Sequence, residues 1–331
     1  MKSFLPEQTR LSQVRLRTAN LKDAQAFYSD VLGLKVRHGL RSQAILSAAG
    51  EGPGLLVLTE DLNAPLRPPR STGLYHFAIR YPGRQDLAHA YHRLVRSGYP
   101  VAGASDHGVS EAIYLGDPDG NGIELYADRP RAQWPRRNGQ IAMVTRALDP
   151  DDLLAEEAHE SATMAPPART DIGHIHLHVA DLAVAERFYS EYLGFAVTQR
   201  SYAGALFFAA GGYHHHIGVN IWAGKAAPPA NSVGLVSYRL EVPITEILYC
   251  LDHRAPLLGY ETRPGPQEEG SPVLQIRDPN GNWLEVQAPP TAPAVAPDVL
   301  CPESSEAANN PARLSTQEIT KDQESKYETN N

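Results

Sequence analysis

The sequence has few of the features that mark membrane, secreted or nucleic-acid-binding proteins. Its 331 residues include two cysteines, Cys250 and Cys301, whose spacing fits neither a metal-ligand pattern nor a disulfide framework. No apolar run approaches the length of a membrane span, and residues 1–11 lack the apolar core of a signal peptide. The formal net charge of −8 disfavours nucleic acid as a partner. We therefore expect a reduced, cytoplasmic protein.

Two short motifs occur twice along the chain at one constant separation. Residues 27–34 read FYSDVLGL, and residues 188–195 read FYSEYLGF. The turn motif DPDGN at 117–121 returns as DPNGN at 278–282. Both pairs are offset by 161 residues (188 − 27 and 278 − 117). A single offset over this distance indicates a duplicated domain that aligns with itself almost without gaps.

Each half of the chain divides again into two similar units. Alternation and helical spacing in the first half predict, in order, a strand (13–18), a helix (21–31), strands (34–37, 43–48, 55–59), a strand (74–80), a helix (85–97) closed by Gly98, and strands around Val101, Ile113 and Ile123. The order strand–helix–three strands therefore occurs twice per half. We predict an α+β fold of four βαβββ units in two tandem repeats.

The composition divides the chain into four segments. The predicted repeats are residues 8–128 and 172–288, separated by a linker at 129–171. The linker includes an acidic stretch with helical character at 149–159. Residues 289–331 are rich in Pro and Ala and then polar, so we expect a disordered tail without catalytic function.

The most informative stretch is residues 105–126, which read SDHGVSEAIYLGDPDGNGIELY. Asp-Pro and Asn-Gly pairs between two apolar runs predict a hairpin, which would bring His107, Tyr114 and Glu124 onto neighbouring strands. The motif resembles the signature of the extradiol ring-cleaving dioxygenases of the vicinal oxygen chelate superfamily. The matching positions are His107, Ile113, Tyr114, Asp117, Pro118, Gly120 and Glu124. The resemblance extends over residues 10–288 and is to two-repeat bacterial enzymes of the catechol 2,3-dioxygenase type.

This resemblance implies a metal centre in a cup formed by paired units. Family members bind Fe(II) through two His and one Glu, and Mn(II) is an alternative for the same ligands. The corresponding positions are His76 in GLYHFAI, Glu124, and His174 in GHIHLHV. Through the offset, these match Ser237, Glu285 and Gln13, so neither half holds two His and a Glu. We therefore predict that unit two and unit three combine into one site, leaving units one and four to form an empty cup.

The resemblance also implies the roles of the neighbouring side chains. Tyr114 would hydrogen-bond a catecholate oxygen, His107 would support the other oxygen, and His215 in GGYHHHIGVN would be the acid–base residue. The implied partners are a small aromatic diol and dioxygen, with neither membrane nor nucleic acid, and homo-oligomerisation is left open. His176 and His178 share a strand face with His174 and line either the pocket or solvent. We interpret His214 and His216 as structural residues.

Two other functions are compatible with the same superfamily. A glyoxalase-type lyase would use Ni or Zn, and Gln13, His76 and Glu124 resemble its ligands. Such a site also needs a Glu within residues 214–219, where the sequence has no acid. A non-catalytic small-molecule-binding protein would need none of these ligands. The preferred interpretation is an Fe(II)-dependent extradiol dioxygenase.

Overall fold

The strands of the protein form two large mixed sheets, as described by a computed structural model over residues 4–50, 52–156, 165–266 and 270–290. Unit one contains β1 (Arg10–Thr18), α1 (Leu21–Ala26) with a π-helical turn (Phe27–Val31), β2 (Lys35–Leu40), β3 (Gln43–Ser47) and β4 (Leu56–Glu60). Unit two contains β5 (Gly73–Tyr81), α2 (Arg84–Ser97), β6 (Gly103–Asp106), β7 (Ser110–Gly116) and β8 (Gly122–Asp128). The α+β fold class is confirmed.

The second half repeats this order after a connecting segment with short elements of its own. That segment contains a 3₁₀ turn (Arg131–Gln133), β9 (Arg136–Arg137), β10 (Gln140–Ile141), β11 (Arg146–Ala147) and α3 (Pro150–Leu154). Unit three contains β12 (Asp171–His178), α4 (Leu182–Glu186) with a π-helical turn (Arg187–Tyr192), β13 (Ala196–Gln199), β14 (Ala205–Ala209) and β15 (Ile217–Asn220). Unit four contains β16 (Gly234–Glu241), α5 (Glu246–Leu258), β17 (Thr262–Pro264), β18 (Val273–Arg277) and β19 (Trp283–Gln287).

The helix ends follow local signals in the sequence. Oδ1 of Asn20 accepts a hydrogen bond from the Asp23 amide at 3.1 Å, which caps the first turn of α1. Helix α2 ends at Gly98, whose φ of 67° lies in the left-handed region that glycine adopts without a steric cost. Asn20 therefore fixes where α1 begins, and Gly98 fixes where α2 ends.

The four units pair in a crossed order. The nine-stranded sheet runs β11-β6-β7-β8-β5-β12-β15-β14-β13, and the eight-stranded sheet runs β17-β18-β19-β16-β1-β4-β3-β2. Units two and three thus share the first sheet through an antiparallel pair of β5 and β12. Units one and four share the second sheet through β1 and β16. The predicted crossed pairing is confirmed, and we call the two sheets the inner sheet (units two and three) and the outer sheet (units one and four).

The duplicated motifs contact each other and join the two sheets. The hydroxyl of Tyr28, in the FYSD motif of unit one, donates to Oδ2 of Asp117 in the hairpin turn of unit two at 2.8 Å. The second half repeats the contact at 2.9 Å between Tyr189 and Asp278. All four side chains are buried. Each tyrosine therefore links a helix packed on one sheet to a turn belonging to the other.

We expect Tyr28→Phe to lower the free energy of unfolding by about 1.5–3 kcal/mol, because it removes one hydrogen bond to a buried carboxylate. Asp117 keeps its bonds from Asn121, so the variant should still fold. Chemical denaturation measures the difference, and Tyr249→Phe is the matched control because Tyr249 is exposed. Equal stability of the two variants would show that the tyrosine link contributes nothing.

Three predictions concern the rest of the chain. Cys250 is buried in α5. Cys301 and the predicted tail from residue 291 onward lie outside the described residues, so the reduced state of the cysteines and the disorder of the tail stay predictions. Within the described part of the chain, no helix has the length and apolar content needed to cross a bilayer.

Candidate active site

Three adjacent strands of the inner sheet bring His76, Glu124 and His174 together. Strand β5 carries His76 and lies between β8, which carries Glu124, and β12, which carries His174. One potential ligand atom from each residue lies within 4.8 Å of the others, and all three side chains are buried. Glu124 and His76 come from unit two and His174 from unit three, so the cluster exists only because these units share a sheet.

The atoms of the cluster are arranged around the Glu124 carboxylate. Nε2 of His174 lies 3.0 Å from Oε2 of Glu124 and is aligned to donate a hydrogen bond. Nε2 of His76 lies 3.1 Å from the same oxygen but is buried without a hydrogen-bond partner. Burial opposes ionisation of Glu124, yet His174 and His76 together hold the pKa of this carboxyl well below its usual range. Burial lowers the pKa of His174, which favours the neutral imidazole.

This donor set fits a divalent metal ion. Two imidazoles and one ionised carboxylate form the two-His, one-carboxylate triad, which leaves other coordination positions open. The unpartnered Nε2 of His76 points to the same conclusion, because a buried polar nitrogen without a partner is costly unless something binds it. His76, Glu124 and His174 could therefore hold a metal ion together.

Gly173 allows His174 to reach the cluster. A Cβ at position 173 would lie only 1.7 Å from Oη of the buried Tyr126. The pairing of β12 with β5 also shifts register between Ile172 and His174, as expected for a β-bulge. The glycine lets the strand pass close to Tyr126, and the bulge re-aims the next side chain toward Glu124.

A cavity of about 630 Å³ opens beside the cluster. This volume lies in the usual range for small-molecule sites, about 300–1,000 Å³. His76 and Glu124 line it, together with the predicted functional residues His107, Tyr114 and His215. The apolar wall includes Val109, Leu115, Met143, Phe207 and Trp222. The cavity thus combines a polar, potentially metal-bearing end with an apolar wall.

Tyr114 and His107 form a hydrogen-bonded pair on this cavity. Tyr114 lies opposite Glu124 in the hairpin of β7 and β8, as predicted. Nδ1 of His107 donates to the carbonyl of Val144 at 2.8 Å. In the tautomer with its proton on Nδ1, Nε2 of the same ring accepts from the Tyr114 hydroxyl at 2.6 Å. Burial and Glu124 raise the pKa of Tyr114 well above its usual value, so the phenol keeps its proton.

The connecting segment closes part of the cavity, which the sequence did not reveal. The Gln199 side chain bonds both the amide and the carbonyl of Met143, at 2.9 Å and 3.1 Å. Oγ1 of Thr145 lies 3.0 Å from the hydroxyl of Tyr202. Met143 and Thr145 line the cavity, although the sequence predicted only a linker there. Composition carries no signal for such a wall, because the contacts depend on β13 of the following unit.

The three histidines after Tyr213 have three different environments. His215 lines the cavity, and its ring lies 4.2 Å from the ring of His174. His214 is buried and contacts Asp128 on β8, whereas Nδ1 of His216 accepts from the amide of Ala210. Burial and His174 lower the pKa of His215 well below its usual value. The Asp128 contact was missed, although alternation along β8 places Asp128 on the same face as Glu124.

Of the two remaining strand histidines, one lies on the cavity. His176 lines it, and its Nε2 accepts a hydrogen bond from the side-chain amide of the buried Asn220 at 3.0 Å. His178 is partly exposed, and its Nδ1 donates to the carbonyl oxygen of the same Asn220 side chain at 2.6 Å. The sequence left open whether these two histidines line the pocket or face solvent. His176 lines the cavity, whereas His178 lies outside its lining.

The outer sheet has no equivalent cluster of metal-binding groups in the described residues. Its counterpart of Glu124 is Glu285, which accepts from Ser237 at 2.9 Å. At the position equivalent to Ala78 stands Arg239, whose guanidinium bonds Glu285 at 2.7 Å and 3.1 Å. Gln13 lies in this sheet and lines a separate cavity of about 320 Å³. Gln13 is therefore not a neighbour of the inner cluster.

Comparisons with known proteins agree with this geometry. Residues 10–125 and 171–286 match the model of the Glyoxalase/Bleomycin resistance protein/Dioxygenase superfamily. The chain therefore belongs to this superfamily, whose other name is vicinal oxygen chelate, and the resemblance inferred from the sequence is confirmed. The two matched ranges also confirm the tandem repeat.

Individual relatives show more specifically which proteins the chain is similar to. The chain is 46% identical to the catechol-2,3-dioxygenase of Bacillus subtilis (strain 168) over 82% of this chain and 95% of that protein. It is 32% identical to biphenyl-2,3-diol 1,2-dioxygenase 3 of Rhodococcus globerulus over 36% of this chain and 63% of that one. Glyoxalase I from Zea mays shares the fold alone, with a TM-score of 0.53 at 17% identity over 85% and 92% of the two chains.

Proposed function

We propose that the protein is an Fe(II)-dependent extradiol dioxygenase that cleaves the ring of a catechol-type diol beside its two hydroxyl groups. The observation that carries the proposal is the convergence of His76, Glu124 and His174 at one end of a cavity that also holds Tyr114 and His215. The likeness to a catechol-2,3-dioxygenase over most of the chain supports it. Mn(II) is an alternative ion for the same ligands.

The metal ligands would be His76, Glu124 and His174, with three donors to one ion. A divalent ion held there would supply Lewis-acid chemistry that lowers the pKa of the diol's hydroxyl groups. The apolar wall of Val109, Met143 and Phe207 would pack against the rest of the ring and exclude water. The substrates would thus be a small aromatic diol and dioxygen.

The polar residues of the cavity would handle the substrate oxygens and protons. Tyr114 keeps its phenolic proton and would turn it from His107 toward one oxygen of the diol. His107 accepts from Tyr114 in the free protein and would support the substrate oxygens together with it. His215 would take a proton from a diol hydroxyl and return it to the opened ring, as a general acid–base residue.

The glyoxalase alternative receives less support. Its ligand set would need Gln13 beside His76 and Glu124, but Gln13 lies in the outer sheet and donates to the carbonyl of Gly54. The position where such a site needs an acid is occupied by His215 and the apolar strand β15. A non-catalytic binding protein would have no use for a buried triad with an unpartnered imidazole nitrogen.

A direct assay tests the proposal. The protein is loaded anaerobically with Fe(II), mixed with catechol, and exposed to air while absorbance and oxygen uptake are recorded. We expect a yellow ring-cleaved semialdehyde and consumption of one dioxygen per catechol. The matched control is Glu124→Gln, which keeps the volume of the side chain but removes the carboxylate. No product with any catechol, together with turnover of a glutathione hemithioacetal after Ni or Zn loading, would establish the lyase instead.

A further inference from the structure

Behind His215, two short hydrogen bonds join three side chains in a row. Nδ1 of His215 lies 2.8 Å from Nδ1 of His214. Nε2 of His214 lies 2.8 Å from Oδ1 of Asp128. His215 lines the cavity, whereas His214 is fully buried and neither it nor Asp128 lines the cavity. Asp128 and His214 can therefore reach a bound substrate only through His215.

The partners of Asp128 aim its carboxylate at His214. Oδ2 accepts from the Tyr213 hydroxyl at 2.9 Å and lies 3.4 Å from a guanidinium nitrogen of Arg80. Arg80 is itself held by two hydrogen bonds to Asp171, at 2.9 Å and 2.7 Å. With Oδ2 occupied in this way, Oδ1 is left for Nε2 of His214. Burial opposes ionisation of Asp128, but His214 and Arg80 hold its pKa below the usual value.

The positions of the protons follow from this chain. An ionised carboxylate only accepts hydrogen bonds, so Nε2 of His214 carries a proton. When this is the only proton on the ring, Nδ1 of His214 keeps a lone pair and accepts, so that the facing Nδ1 of His215 donates and Nε2 of His215 keeps its own lone pair. In that arrangement Asp128 determines the tautomer of His215 through His214.

We propose that Asp128 and His214 are positioning residues that hold His215 with its proton on Nδ1, so that Nε2 faces the substrate as a base. The proposal rests on the proposed function. The O–H bond of a diol hydroxyl breaks as an N–H bond forms at Nε2 of His215. The Nδ1 proton stays between the two histidines, and the Asp128 carboxylate balances the new positive charge. The same proton then returns to the product, so no other reagent is consumed.

Kinetics of single variants provide the first test. His214→Asn keeps an amide near the position of Nδ1, and His214→Gln keeps one near that of Nε2, so each breaks the chain at one end only. We expect both variants, and Asp128→Asn, to lose about 10- to 100-fold in kcat with little change in KM, as supporting partners of a functional residue commonly do. His216→Asn, which alters the next residue of the triplet, should keep kcat. Wild-type kcat in the three variants would overturn the proposal.

A double-mutant cycle separates positioning from a general structural role. If Asp128 acts through His215, then Asp128→Asn should cost nothing further in the His215→Ala background. A structural defect would instead lower kcat by the same factor in both backgrounds, and that result would overturn the proposal. Thermal unfolding of each variant identifies any that fail to fold, and those are replaced in the cycle by His214→Asn.

The tautomer can also be measured without turnover. In ¹⁵N-histidine-labelled, Zn(II)-loaded full-length protein, the nitrogen chemical shifts of His215 should report a protonated Nδ1 and a bare Nε2. Asp128→Asn should reverse or mix this assignment, because an amide can donate to His214. A His215 with its proton on Nε2 in the wild type would overturn the proposal. This readout holds even if the protein cleaves no catechol, so the two proposals fail separately.

Discussion

We expect His76→Ala, Glu124→Ala and His174→Ala each to release the metal and to lower turnover of catechol by more than about 10²-fold. Loss of an outer partner of a metal ligand already costs 10- to 100-fold in affinity or activity, and these three residues would be the ligands themselves. The protein offers no spare donor among the described residues of the cluster. Metal content after gel filtration and initial rates measure the two effects.

The outer sheet provides the matched controls for this prediction. Gln13→Ala and Ser237→Ala change the positions equivalent to His174 and His76, so they should keep both metal and turnover. Circular dichroism shows whether each variant remains folded. Loss of metal from Gln13→Ala with retention in His174→Ala would contradict the assignment and would favour a glyoxalase-like ligand set.

We expect His215→Ala to bind iron and catechol normally and to turn over about 10²–10⁴-fold more slowly. This is the usual contribution of a general acid–base group. His215 lies beside His174 but outside the cluster of possible metal ligands, so its removal should leave the metal in place. Stopped-flow measurement of catechol binding, followed by single turnover in oxygen, separates the two steps.

Two comparisons sharpen the His215 experiment. Tyr114→Phe should be milder, because it removes one hydrogen bond to the substrate and leaves proton transfer in place. His216→Ala alters a neighbouring histidine that does not line the cavity and should retain turnover. Loss of iron from His215→Ala would mean that His215 is a ligand and not an acid–base residue.

Most of the fold was predictable because the helices and strands of each unit have clear local signals in the sequence. Alternation, helical spacing and the Asp-Pro and Asn-Gly turns gave the elements of the first half with small errors at their ends. The strand expected around Val101 begins later, at Gly103. The crossed pairing followed from the ligand positions that the family resemblance implies, since Gln13 and Ser237 break any site built within one half. Periodicity by itself does not predict which units share a sheet.

The parts of the site that escaped prediction depend on distant segments. Met143 reaches the cavity because Gln199, more than fifty residues away, holds its backbone. His214 was interpreted as structural, and it does lie outside the cavity lining. It contacts Asp128 of the neighbouring unit, however, and that contact was not predicted. Sequence patterns give the face on which a side chain lies, but not the residue that meets it there.

The guanidinium of Arg239, which is bound to Glu285, gives the outer sheet a charge balance that depends on no metal ion. Duplication produced two carboxylates in equivalent positions, and each needs a positive counter-ion in its buried surroundings. Glu124 would take an exchangeable ion from solution, whereas Glu285 has a covalently tethered one in Arg239. Loss of a metal ion from the inner site would therefore leave the charges of the outer sheet paired. We expect metal removal to leave the outer sheet folded, so that the inner site can bind metal again without refolding of the chain.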